Sequence, residues 1–190
     1  MKPLSLSRPH LIVMIGIPGS GKSTFAERFS ETFKAPLVSQ ADLHDIIFGS
    51  RYGAVESEDK AIELADTILN ELVKTGQTII YEDNSGSRIR RQELAKLATS
   101  TGYRPTFVWV QTDSIEATRR SLRKGKDTLP LSPELFQAAV ARFTIPVASE
   151  QAVVISGKHT YANQLKNVLR NLSADRPRPP LHVPRRDKIQ

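Results

Sequence analysis

The sequence predicts an α/β domain of three layers, with a five-stranded, mainly parallel sheet between two layers of helices. Short apolar runs alternate with longer amphipathic segments along the chain, which is the pattern of successive βαβ units. At 190 residues the chain fits one domain with a sizeable core. Ligands of such doubly wound sheets bind beyond the carboxyl ends of the strands, so the segments after the strands form the candidate site.

Each element is predicted from its own residues. The strands are short apolar runs, several rich in β-branched or aromatic residues, at 10–16, 36–39, 78–81, 106–110 and 152–155. Apolar residues at helical spacing predict helices from the first loop to about 33 and at 41–48, 57–75, 87–98, 114–122, 132–143 and 162–172. Ser57 is predicted as an N-cap, Gly76 as the end of that helix, and Ser132 before Pro133 as a further helix start.

The composition excludes several classes of protein. The chain has no cysteine, so it has neither a disulfide framework nor a thiolate metal site. Its longest apolar run, residues 11–15 extended by Gly16 and Ile17, is too short to span a bilayer and lacks a signal-peptide cleavage site. We therefore expect a cytoplasmic protein that neither spans nor binds a membrane.

The charge is concentrated at the C-terminus. Of the formal net charge of +7, residues 174–190 contribute five Arg or Lys against two Asp, in a stretch with four prolines. This composition predicts an extended, mobile tail outside a folded body at 1–173. The tail is either a solubilising extension or an arm that binds nucleic acid or another polyanion.

The segment from Gly16 to Ser23 matches the phosphate-loop pattern Gly-x4-Gly-Lys-Ser and lies between a strand and a helix. Its glycines let backbone N–H groups converge on an anion at the N-terminus of the helix. Lys22 is expected to reach the β- and γ-phosphates of ATP, and Ser23 to hold Mg²⁺. The residues predicted to contact the nucleotide are Gly16, Pro18, Gly19, Ser20, Gly21, Lys22, Ser23 and Thr24.

Carboxylates follow the second and third strands, at the same edge of a parallel sheet. Asp42 is predicted as the base that accepts a proton from a hydroxyl acceptor; its alternative role is a helix cap. Asp45 and His44 are weaker candidates for the base. Glu82 or Asp83 is predicted to serve Mg²⁺ or its water shell, and Glu82 is preferred because it directly follows the apolar run.

A basic segment after the fourth strand is predicted as a small helical lid over residues 119–132. Arg119 and Arg123 are four residues apart and so are expected on one helical face, where they would stabilise the transferring phosphoryl group. Arg120 is expected to contact the nucleotide. The alternative is a solvated basic face. The arginines that open the helix after strand three could reach the acceptor; they are Arg88, Arg90 and Arg91.

With these motifs the chain resembles the P-loop kinase superfamily over residues 10–172. It is similar to the AAA-type kinases related to polynucleotide 5′-hydroxyl kinases and, more distantly, to zeta toxins. The resemblance implies a three-layer P-loop NTPase fold with a lid. Further anchors are Ser39-x-x-Asp42, residues 79–84 with Arg91-x-x-Leu94, and residues 143–146 with Glu150. This chain departs from polynucleotide kinases at two places. It has Asp45 where they have an Arg that contacts the acceptor, and Glu82-Asp83-Asn84 where they have Asp-Thr-Asn after the third strand.

Three functions are consistent with these features. The first is an ATP- and Mg²⁺-dependent kinase whose acceptor is a hydroxyl of a small molecule or of a nucleic-acid 5′ end. The second is a regulatory NTPase that hydrolyses without an acceptor, although no Asn-Lys-x-Asp guanine motif is present. The third is a nucleic-acid-binding module with a secondary kinase site, which the aromatic content of 6% disfavours.

Overall fold

Five parallel strands form one sheet in a computed structural model that describes residues 4, 6–50, 55–83, 86–123 and 130–173. The strands are β1 (His10–Ile15), β2 (Leu37–Ser39), β3 (Ile79–Glu82), β4 (Arg104–Gln111) and β5 (Val153–Ser156). Their order in the sheet is β2-β3-β1-β4-β5, and every neighbouring pair is parallel. The predicted three-layer α/β fold with five strands is confirmed.

Helices cover both faces of this sheet. The described residues form α1 (Lys22–Phe33), α2 (Gln40–Phe48), α3 (Val55–Leu72), α4 (Arg88–Ser100), α5 (Ser114–Ser121), α6 (Pro133–Arg142) and α7 (Tyr161–Ser173). Short 3₁₀ turns follow α3 at Val73–Thr75 and precede β5 at Ala148–Glu150. None of these helices is long and apolar enough to cross a membrane.

The central strand β1 divides the core into two clusters. Leu11, Val13 and Ile15 face a cluster built with α3 and α4, whereas Ile12 and Met14 face one built with α1 and α7. All six residues of β1 are buried, as expected for a strand covered on both faces. This strand holds the phosphate loop at the middle of the carboxyl edge.

The capping predictions are correct at two sites and wrong at a third. Ser132 caps α6 by accepting a hydrogen bond from the Leu135 amide, and Gly76 ends the α3 segment with φ of 67°. Ser57 is not a cap, because α3 begins two residues earlier. Its hydroxyl instead lies 3.0 Å from Nε2 of His44, so it joins α2 to α3.

Parts of three predictions lie outside the described residues. These are the proposed tail at 174–190, residues 124–129 of the proposed lid and Asn84 of the family anchor at 79–84.

Arg91 of α4 fixes the connection between α6 and β5. Its guanidinium is buried and donates to both carboxylate oxygens of Glu150, at 2.6 and 3.1 Å, and to the carbonyl oxygens of Gly86 and Thr144. The Arg91 guanidinium also lowers the pKa of Glu150. Losing one partner of such a pair leaves a buried charge without compensation, so this pair holds the loop after β3 against the segment before β5.

His10, at the start of β1, is a buried titratable group of the core. Its Nδ1 atom lies 2.8 Å from the Thr106 hydroxyl, and its Nε2 atom is buried without a hydrogen bond. Burial, followed by the charges of Arg104 and Arg8, lowers the pKa of His10 to about 4. The folded chain therefore keeps this ring neutral at pH values where an unfolded chain protonates it.

We predict that stability falls as the pH drops from about 6.5 to about 4. In this window the unfolded chain binds a proton on His10 and the folded chain does not, so protonation stabilises the unfolded state by on the order of 1–3 kcal/mol. Urea unfolding at pH 7.5, 5.5 and 4.5 measures this loss. His10→Gln should flatten the dependence, while the matched variant at exposed His159, His159→Gln, should leave it intact. If the unfolding free energy changed with pH by the same amount in wild type and in His10→Gln, the prediction would be contradicted.

Candidate functional site at the carboxyl edge of the sheet

The phosphate loop, residues 16–23, connects β1 to α1. Its glycines adopt left-handed backbone conformations, with φ of 150° at Gly16, 74° at Gly19 and 105° at Gly21. A Cβ atom at Gly19 would also lie 2.2 Å from the carbonyl oxygen of Ala117 in α5. Glycine is therefore required for this curvature and for the close approach of α5. Pro18 and Ser20 are buried in the loop, whereas Thr24 is exposed on α1.

Lys22, the first residue of α1, places its ammonium inside the loop. The Nζ atom donates to the carbonyl oxygens of Gly16 at 2.8 Å and Ile17 at 3.2 Å. Burial lowers the pKa of Lys22, while the charges of Glu82 and Asp83 oppose that effect. A buried cation thus lies among loop carbonyls and carboxylates, where a phosphate could replace the carbonyls as its partner.

Glu82 joins three elements at this edge. Its Oε1 atom accepts a hydrogen bond of 2.6 Å from the Ser23 hydroxyl, and its Oε2 atom accepts one of 3.3 Å from the Ser39 hydroxyl. The sheet register explains this contact, because Ser39 and Glu82 are paired in β2 and β3. Asp83 is also buried. Of the two carboxylates that the sequence left open, Glu82 is the one that contacts the serine of the motif.

Asp42 is connected to this carboxylate through a single residue. Ser39 caps α2 by accepting a hydrogen bond of 3.2 Å from the Asp42 amide, while its hydroxyl donates to Glu82. The cap of α2 is therefore Ser39, and the capping role considered for Asp42 is wrong. Asp42 is half-buried in the first turn, and Asp45 follows one turn later.

His44 is not available to this site. Its Nδ1 atom lies 2.5 Å from the carbonyl oxygen of Ser50 and its Nε2 atom bonds Ser57, so both ring nitrogens connect α2 to the chain around it. The ring is buried and packs against Phe48, with a centroid distance of 4.8 Å.

The arginines of the predicted lid meet a carboxylate that sequence reasoning missed. Arg119 and Arg120 both donate to Glu116 in α5, at distances from 2.7 to 2.9 Å, and lower the pKa of Glu116 to about 2. Arg120 also donates to the carbonyl oxygen of Gly157 at 3.1 Å. The shared helical face predicted for Arg119 and Arg123 is wrong, because α5 ends at Ser121 and Arg123 lies beyond it.

Gly157 and Thr112 also support the loop and carry no motif of their own. The Thr112 hydroxyl donates to the carbonyl oxygen of Ser20 at 3.0 Å. A Cβ atom at Gly157 would lie 2.0 Å from the same oxygen. A glycine directly after β5 is the only sequence signal for this contact, and it becomes meaningful once the strand order places β5 near the loop.

Two of the arginines that open α4 are structural. Arg91 binds Glu150, as described above. Arg90 forms an ion pair with Asp66 and donates to the Tyr81 hydroxyl at 2.9 Å, which joins α4 to α3 and β3. These contacts do not support the prediction that Arg90 and Arg91 reach an acceptor. The third arginine, Arg88, is exposed.

A cavity of about 500 Å³ opens beside the loop. Its apolar lining includes Ile17, Trp109, Phe143 and Ile145, with polar groups from Gln111 and Thr112. The volume is in the range of small-molecule sites, and its position is the one that the topology predicts for ligands.

No group of three or more His, Cys, Asp or Glu side chains could hold a metal ion by itself within the described part of the chain. The oxygen donors next to the loop are the Ser23 hydroxyl and the Glu82 carboxylate, at hydrogen-bond distance from each other. This sparse, hard-oxygen donor set fits Mg²⁺, which keeps several waters and takes the remaining ligands from phosphates.

Comparison with known proteins identifies the fold and the family. No curated protein sequence matches this chain. The structure resembles that of a sugar kinase from Janibacter sp. HTCC2649, with 16% identity, a TM-score of 0.65, and coverage of 87% of this chain and 98% of that one. The APS kinase of Mycobacterium tuberculosis, solved with AMPPNP and APS, gives 15% identity, a TM-score of 0.62, and coverage of 87% and 97%.

A chain of the Pnkp1/Rnl/Hen1 RNA repair complex is also similar, with 21% identity, a TM-score of 0.62, and coverage of 77% of this chain and 46% of that one. These likenesses establish the fold. The model of the AAA domain family matches residues 11–146, more than two thirds of the sequence. The chain belongs to this AAA domain family and has the fold of P-loop kinases.

Proposed function

We propose that this protein is a kinase that transfers the γ-phosphoryl group of Mg-ATP to a hydroxyl group of an acceptor. The observation that carries the proposal is the chain of hydrogen bonds from Ser23 through Glu82 and Ser39 to Asp42. Through the backbone amide of Asp42, it ties the residue whose carboxylate is expected to take the acceptor proton to the group expected to hold the metal.

The phosphate loop supplies the nucleotide site in this proposal. Backbone amides of residues 16–24 and the N-terminus of α1 would bind the β-phosphate. Lys22 would exchange the carbonyl oxygens of Gly16 and Ile17 for phosphate oxygens. The structure of the APS kinase with AMPPNP, an ATP analogue, supports ATP as the nucleotide.

Ser23 and Glu82 would hold Mg²⁺, Ser23 as a ligand and Glu82 directly or through a bound water. The ion supplies positive charge that neutralises the phosphates during transfer. Glu82 orients the Ser23 hydroxyl, because its Oε1 atom accepts the hydrogen bond from that hydroxyl. The lone pairs of the Ser23 oxygen are then left for a cation.

Asp42 would act as the general base. The acceptor oxygen attacks the γ-phosphorus while the bond from that phosphorus to the β–γ bridging oxygen breaks, ADP leaves, and the acceptor proton passes to the Asp42 carboxylate. Ser39 positions this residue, since its hydroxyl holds the Asp42 amide and the Glu82 carboxylate together.

The arginines of α5 would stabilise the charge on the transferring group. Arg119 and Arg120 bind Glu116 in this structure, so a phosphate would have to compete with that carboxylate. Arg119, in the last turn of α5, and Arg123, beyond its end, are exposed and can move toward the loop with little loss of packing.

The acceptor belongs to one of two classes. The sugar kinase and APS kinase neighbours support a small hydroxyl compound, and the RNA repair neighbour supports a nucleic-acid 5′ end. Asp45, an acidic residue one turn after Asp42, favours the small molecule, because it would repel a phosphate-bearing strand. A screen with labelled ATP should include sugars, nucleosides, nucleotide-sugars and 5′-hydroxyl oligonucleotides.

We predict that Asp42→Asn slows phosphoryl transfer by about 10²- to 10⁴-fold with little change in ATP affinity, because it removes the base but not the phosphate site. Single-turnover transfer to the acceptor found in the screen measures the rate, and calorimetry measures ATP binding. Asp45→Asn, which makes the same change one turn along α2, is the matched control and should retain activity. Lys22→Ala should abolish turnover.

Two outcomes would contradict the base assignment. One is full transfer activity in Asp42→Asn. The other is rapid ATP hydrolysis that no acceptor accelerates and that survives Asp42→Asn, which would favour a regulatory NTPase.

We also predict that Glu82→Gln raises the Mg²⁺ concentration needed for half-maximal ATP binding by about 10- to 100-fold. The amide still accepts the Ser23 hydrogen bond but lacks the charge that attracts the cation. Asp83→Asn removes a neighbouring buried carboxylate and should have the smaller effect. A larger effect of Asp83→Asn would assign the metal to that residue instead.

A further inference from the structure

A second cavity, of about 480 Å³, lies between α4, β4 and the segment before β5. It is not the cavity beside the phosphate loop, because Arg104 begins β4 and Arg8 precedes β1, at the amino end of the sheet. The eight residues of β4 separate Arg104 from the carboxyl edge by roughly 25 Å. A ligand bound near Arg8 and Arg104 would leave the phosphate loop accessible.

The lining of this cavity is strongly basic. Among the described residues that line it, Arg8, Arg88, Arg91 and Arg104 are basic and Glu150 is acidic, which gives these side chains a formal charge of +3. Glu150 is bound by both arms of the Arg91 guanidinium. The other three arginines come from three different segments of the chain, before β1, in α4 and in β4.

The charges of this cluster act on one another. Burial and then the charge of Arg8 lower the pKa of Arg104, and the pKa of the neighbouring His10 is lowered by burial, Arg104 and Arg8. Such mutual repulsion between cations costs free energy in the folded state. A bound anion would relieve that repulsion.

The rest of the lining suits an anion attached to an organic group. Ala95, Pro105 and Phe107 give the cavity an apolar wall, and Gln92, Ser149 and Gln151 add neutral polar groups. Guanidinium groups bind phosphate through paired hydrogen bonds, and the volume is in the range of small-molecule sites.

We infer that this cavity is a second anion site that binds a phosphate-bearing ligand, separate from the phosphate loop. The phosphate could belong to a free phosphorylated small molecule or to the backbone of a single-stranded nucleic acid. Both present the same group to Arg8, Arg88 and Arg104.

The test uses the full chain with the phosphate loop filled by Mg-AMPPNP, and a parallel series in the Lys22→Ala background. Calorimetry measures the binding of inorganic pyrophosphate, and fluorescence anisotropy that of a 5′-phosphorylated ten-residue oligonucleotide. Arg8→Gln combined with Arg104→Gln should weaken binding by roughly tenfold or more. Lys166→Gln combined with Arg170→Gln removes the same charge from exposed positions of α7, on the other face of the sheet, and should have little effect.

Each possible outcome either supports or overturns the inference. Pyrophosphate binding that the cavity variant loses supports a small phosphorylated ligand. Oligonucleotide binding that is tighter, is lost in the same variant and falls steeply with salt supports a nucleic-acid strand. The inference is overturned if neither probe binds, or if the cavity and control variants lose affinity equally while circular dichroism shows both to be folded.

Discussion

The buried ammonium of Lys22 is the constraint on which the carboxyl edge of the sheet depends. A charge in this position is costly unless other groups compensate for it, and the loop carbonyls together with Glu82 and Asp83 do so. The central position of β1 makes this possible. Because β3 is its neighbour, the carboxylates that end β3 arrive next to the loop that follows β1.

The same neighbour relation explains why Ser39 belongs to the site. β2 pairs with β3 in a register that places Ser39 beside Glu82, and its hydroxyl has one proton to donate and lone pairs to accept with. The hydroxyl donates a hydrogen bond to Glu82 and accepts one from the Asp42 amide. The side chain that caps α2 thereby fixes the distance between the proposed base and the proposed metal site.

Local patterns were sufficient for the strands, most helix limits and the phosphate loop, because these depend on residues close together in the chain. Long-range contacts were not predictable. The contact between Ser57 and His44, for example, depends on how α2 packs on α3. By contrast, Glu116 pairs with Arg119 and Arg120 at the i,i+3 and i,i+4 spacing of a helix, so those contacts are local and could have been predicted. Gly157 is important only because strand order brings it to the loop. The hydrogen bonds of Glu82 to Ser23 and Ser39 likewise depend on the sheet register.

The two proposed anion sites differ in how their charge is balanced. At the loop, carboxylates already neutralise Lys22, so a triphosphate arriving there meets negative charge and requires a cation of its own, which is consistent with Mg-ATP as the substrate. The described lining of the cavity at Arg8 and Arg104 has the opposite balance, with four arginines and one carboxylate. We therefore expect an anion to bind there without a metal. Sensitivity to Mg²⁺ therefore distinguishes the two sites even for ligands that carry the same phosphate group.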